Sequence, residues 1–70
     1  MNIQTHDKIA DNLRWIIRSC EMSEAIMRDP ERTQAYGKVE KMCHRVADQY
    51  WRIGRRAKET LDMLLTEPAA

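Results

Sequence analysis

The stretch from Ala35 to Leu65 constrains this chain most. Placed on a wheel at about 100° per residue, it separates into two opposed faces. Met42, Cys43, Val46, Tyr50, Ile53, Gly54, Ala57, Leu61 and Leu64 fall with Val39 in an apolar arc of roughly 120°, with Ala47 and Leu65 at its edge. Lys41, Arg45, Arg52, Arg55 and Arg56 fall in the opposite arc with Lys38, interrupted by Asp48 and Glu59. This pattern predicts one long amphipathic helix with an apolar face to be covered and a basic face on the opposite side. Its seam is read as Val39, Cys43, Val46, Tyr50, Ile53, Ala57 and Leu64, stepping mostly by threes and fours. Gly54 costs about 1 kcal/mol against alanine in a helix interior, so close packing of a second helix is expected there.

A first helix is expected from about His6 to Met27, with Thr5 as its N-cap and Asp7 in its first turn. Ile9, Leu13, Ile16, Cys20 and Met27 form its seam, with Ile17 beside it. A second apolar group, Trp15, Met22 and Ile26, lies about 100° or more away. The apolar surface is therefore too wide for a helix that meets only one other helix. Pro30 disfavours helical geometry in the preceding residue, so the first helix should stop near Arg28. Asp29 with Pro30 makes one start for the second helix and Thr33 another, anywhere from residue 30 to 34. Gly37 allows bending near that start, and Pro68 ends the helix near Leu65 or Thr66.

The expected fold class is all-α: one domain, residues 1–70, an antiparallel hairpin with a shorter first and longer second helix. Folding about residue 31 pairs residues whose numbers add to about 61 or 62. That brings Cys20 near Cys43 and leaves Leu61, Leu64 and Leu65 overhanging. A chain below about 70–80 residues rarely draws more than 3–5 kcal/mol from one core. The spare patch and the overhang therefore both predict association, most simply a homodimer forming a four-helix bundle. Its expected dimer and core set is Ile9, Leu13, Ile16, Cys20, Val46, Tyr50, Ile53, Leu61 and Leu64.

No apolar run approaches the ~20 residues of a membrane span, and the N-terminus lacks a signal-peptide pattern. A cytoplasmic protein with reduced Cys20 and Cys43 is expected. Cys20, Cys43, His6 and His44 lack metal-ligand spacing, and no cofactor motif occurs. No Gly-rich phosphate loop, nucleophile elbow or carboxylate–histidine motif points to catalysis. Arg14, Arg18, Arg52 and Glu21 could line an inter-helical pocket, but their spacing singles out no chemistry.

The expected function is to bind and regulate or inhibit another protein, as small helical proteins of phages and mobile elements often do. The expected contacts are Trp15, Met22, Ile26 and Trp51, with Arg52, Arg55 and Arg56 giving electrostatic selection. The alternative is a nucleic-acid-binding regulator using Lys38, Lys41, Arg45, Arg52 and Arg56. The formal net charge of +1 and the two acids within the stripe weigh against it.

Overall fold

The computed structural model describes residues 2–35 and 40–66. Helix α1 runs Ile3–Arg28, the short α2 Pro30–Ala35, and α3 Glu40–Thr66. Among the described residues the chain is almost entirely helical, with no strand. The expectations for Gly37, Lys38, Val39 and Pro68 lie outside these residues.

Helix α1 starts earlier than its sequence suggests. Asn2, not Thr5, is the N-cap: its side-chain oxygen accepts from the Thr5 backbone N–H at 2.8 Å. An amide and a hydroxyl compete for this role, and the amide lies three residues further out. Asp7 consequently falls beyond the first turn, which carries no acid. The other end follows the sequence. Asp29 leaves helical geometry ahead of Pro30, and its carboxylate accepts from the Glu31 N–H at 3.1 Å. That cap starts a helix of only six residues. Thr33 is no cap. It is buried in α2, and its hydroxyl donates to the carbonyls of Asp29 and Pro30.

Helices α1 and α3, 26 and 27 residues long, pack along each other, and α2 touches both. The expected inequality of the two long helices disappears because residues 30–35 form a separate element. Numbers rise along α1 as they fall along α3. His6 meets Leu64, Cys20 meets Gly54, Glu21 meets Lys58 and Arg28 meets Asp48. The paired numbers add to 70, 74, 79 and 76, not to about 61. The centre of pairing thus lies beyond α2, and the register shifts by roughly two to five helical turns.

Two expectations fall with the register. Leu61 and Leu64 do not overhang: both are half-buried, and the Leu64 carbonyl accepts a 2.9 Å hydrogen bond from His6 Nε2. Leu65 alone of the three stays exposed. Nor does Cys20 approach Cys43. It sits against Gly54, eleven residues further along α3, about 16 Å by helical rise. Both thiols are free and buried.

The seam alternates small residues with large ones, and most of its fully buried members are small. On α3 it is Cys43, Ala47, Tyr50, Gly54, Ala57, Leu61 and Leu64; on α1 it is His6, Ala10, Leu13, Ile17, Cys20, Glu24 and Met27. Every member is buried or half-buried, and the steps alternate strictly between four and three. This is the 3.5-residue period that keeps two helices facing each other over a long contact. Relative to the expected seam, α3 is turned by roughly 35°. Ala47 and Gly54 have moved to the centre; Val46 is half-buried and Ile53 exposed.

Small seam residues let the backbones approach. A Cβ added at Gly54 would lie 3.3 Å from the Cys20 Cβ. The result is a rod of 51 × 16 × 11 Å. Its radius of gyration of 15.7 Å exceeds the ~11 Å of a compact domain of this length. No large side chain is fully buried among the described residues.

His6 closes one end of the rod. Leu64 lies among the last four residues of α3, whose carbonyls lack partners within their own helix. His6 Nε2 donates to one of them from the opposite helix. Exchanging His6→Phe keeps the bulk and removes the donor. Thermal melting should then show a loss of about 1 kcal/mol, the net worth of one hydrogen bond. An unchanged melt would mean that water replaces His6 without cost.

Candidate functional site

Among the described residues the candidate sites are surfaces and open grooves. Four surfaces run the length of the rod around the seam. At about 100° per residue, one flank of the pair carries Ile9 and Ile16 from α1 and Met42, Val46 and Ile53 from α3. Ile9, Ile16 and Val46 are half-buried; Ile53 is 51% exposed and Met42 63%. This flank carries no ion pair between the helices. It is continuous because the two helices run oppositely, which sets the residues preceding each seam on the same side.

The other flank is charged and paired. Arg28 Nη2 donates to Asp48 at 2.9 Å, and Lys58 Nζ lies 3.1 Å from Glu21. Arg28 also donates to Glu24 at 3.0 Å. The hydrogen bond to Asp48 raises the Arg28 pKa first, with Glu24 adding to it. Reciprocally, the hydrogen bond from Arg28 holds the Asp48 carboxyl below its usual range. Its folded pKa is depressed. The stabilisation is therefore present above the ordinary carboxylate range near 4 and lost as pH falls through the lowered value. Both groups are exposed, so the effect on stability is small.

Trp51 belongs to this flank. The Arg55 guanidinium lies 5.3 Å from its ring centroid, and Arg55 also pairs with Glu59 at 3.4 Å. Trp51 leans over a shallow groove shared with Cys20, Glu21, Tyr50 and Lys58. Of the residues considered for an inter-helical pocket, Glu21 is engaged by Lys58 and Arg14 by Asp11, while Arg52 points away from both.

The outward faces of α1 and α3 point in opposite directions. That of α1 carries Trp15 and Met22, each 66% exposed and two helical turns apart. Ile26, one turn further, is half-buried beside a shallow concavity formed with Ala25, Asp29 and Arg32. That of α3 carries Lys41, Arg45, Arg52 and Arg56. The residues expected to contact one partner are therefore divided. Trp15, Met22 and Ile26 share one face, whereas Trp51, Arg52, Arg55 and Arg56 line one open concavity of α3 together with Gln49, Ile53 and Glu59.

No family model, curated protein or solved structure matches the chain. The reading of function rests on these surfaces alone. Among the described residues no group of three or more His, Cys, Asp or Glu comes together. No helix of the described residues is long and apolar enough to cross a membrane.

Sequence reasoning missed two features of these surfaces. The division into an apolar and an ion-paired flank depends on the register, which the 30–35 segment alters. His6 was weighed only as a metal ligand, whereas it binds a carbonyl of α3. The four-three alternation from Cys43 through Ala47, Tyr50, Gly54, Ala57 and Leu61 to Leu64 is present in the sequence and is the signal that locates the seam.

Proposed function

We propose that this chain is a non-enzymatic interaction protein: a helical hairpin that pairs with a second copy into a four-helix bundle and binds another protein to regulate or inhibit it. One observation carries the reading. The fully buried part of the seam is mostly Ala10, Cys20, Cys43, Ala47, Gly54 and Ala57, while Trp15, Met22, Met42, Trp51, Ile53 and Met63 stay exposed. A chain this short cannot leave its largest apolar groups in water and still draw much stability from its own core. The flank of Ile9, Ile16, Val46 and Ile53 supports self-association, because a two-fold axis sets an elongated apolar strip against itself.

The surface assigned to the regulated protein is the outward face of α1. Trp15 and Met22 are residue types enriched at interfaces, and Asp11 and Arg18 border them one turn away, an apolar anchor with a charged rim. Burial of Trp15 in a partner pocket makes it the expected hot spot. A Trp15→Ser/Met22→Ser variant should keep its helix content and two-chain mass. It should lose at least about 30-fold in affinity for any protein that co-purifies stoichiometrically with the natural chain, matching ~2 kcal/mol for one hot spot. A companion held equally well by the variant would remove this face from the reading.

A further inference from the structure

The acids that break the basic stripe of α3 in sequence are engaged by other groups in the fold. Asp48 accepts from Arg28 on α1, and Glu59 pairs with Arg55 on the flank. Among the described residues Lys41, Arg45, Arg52 and Arg56 take part in no ion pair. These four form two i,i+4 pairs on one outward face. Like charges at that spacing destabilise a helix by a few tenths of a kcal/mol per pair. The chain carries nearly as many acids as bases, 11 against 12, and could have paired these cations. The row extends over about 22 Å of straight helix.

We infer that this row binds the phosphate backbone of a nucleic acid, without base specificity. Over 22 Å a strand of B-form duplex presents about six phosphates. Three of the four cations are arginines, whose planar fork can hold a phosphate through two hydrogen bonds. A protein partner would want an apolar anchor at the centre of its site. Along its centre line the row carries only Gln49 and charged groups; Trp51 and Ile53 line one concavity with Arg52 and Arg56, but at its two edges. No group on the row is placed to enter a groove and read base edges, so affinity rather than sequence preference is expected. The row lies on a different face from the apolar flank, so it stands or falls independently of the proposed dimer.

The test is fluorescence anisotropy of a labelled mixed-sequence oligonucleotide, about 20 nucleotides long, as single strand and as duplex. With four phosphates engaged, affinity should fall about 150-fold for the duplex between 50 and 200 mM salt, and about 50-fold for the single strand. At 0.1 M salt, Arg45→Gln/Arg52→Gln/Arg56→Gln should bind at least about 100-fold more weakly, at unchanged helicity. Asp48→Asn/Glu59→Gln keeps every cation and should bind several-fold tighter, which tests the row without depending on the triple variant's folding. Arg28→Gln, which frees Asp48, should weaken binding several-fold, whereas Arg18→Gln, the same charge change elsewhere, should not. Three outcomes overturn the assignment: no binding of either oligonucleotide at 50 mM salt, a triple variant within twofold of the natural chain, or poly-glutamate bound as tightly as nucleic acid.

Discussion

Gly54→Leu should abolish most of the helical structure of this protein at 37 °C. Gly54 is buried between α1 and α3, and even a methyl group there would stand 3.3 Å from the Cys20 Cβ. Alanine is the balanced case. It gains about 1 kcal/mol of helix propensity and requires the helices to give by a few tenths of an ångström. Gly54→Ala should therefore leave stability within about 1 kcal/mol of the natural chain. Leucine adds three further carbons with no space in the seam. Overpacking costs about 1–3 kcal/mol, and separating the helices also uncovers Ala47 and Ala57. A chain whose core supplies about 3–5 kcal/mol cannot absorb that loss. The contact is to a Cβ rather than to the sulfur. Cys20→Ala should consequently fail to rescue Gly54→Leu, and Cys20→Gly should rescue it in part. Circular dichroism melts decide the matter. A Gly54→Leu protein melting with the natural one would show that backbone approach at this point does not hold the helices together.

Val46→Glu/Ile53→Glu should reduce the solution mass from two chains to one. Light scattering should give twice 8.3 kDa for the natural chain and about 8.3 kDa for the variant at micromolar concentration. In a two-fold assembly the two substitutions bring four carboxylates into the apolar flank. A glutamate at position 46 would be desolvated without a cation, because the ion pairs between the helices lie on the opposite flank, and one at position 53 has only Arg52 and Arg56 at the edge of the strip. Within a single chain the same glutamates remain at the water boundary, since Ile53 is already half exposed. Helix content should therefore outlast the loss of mass at high protein concentration. Leu61→Glu/Leu64→Glu should behave differently. Those leucines are half-buried in the seam, so they should unfold the chain rather than separate two copies. A two-chain mass retained by Val46→Glu/Ile53→Glu would exclude this flank as the interface.

The sequence alone determined that the chain is helical and that a helix stops ahead of Pro30, because local physics sets both; it did not separate α2 from α3. Pro30 and its Asp29 cap end one helix and start another, and the 3.6-residue periodicity of apolar groups leaves no room for strands. It also determined that Gly54 faces a neighbour and that the cations of α3 share one side. The register needed the tertiary structure. Folding about residue 31 assumed that everything after Pro30 was one helix, and a six-residue α2 moves the centre of pairing beyond residue 35. The seam needed it as well. A wheel finds the middle of all the apolar residues, and here that surface includes both the seam and the exposed flank. Close backbone approach selects the small residues Ala47 and Gly54, so Val46 and Ile53 turn outward. The charge on the outward face of α3 was decided the same way. Asp48 counts against the stripe in one dimension, and only the packing of α1 brings Arg28 within 2.9 Å to offset it.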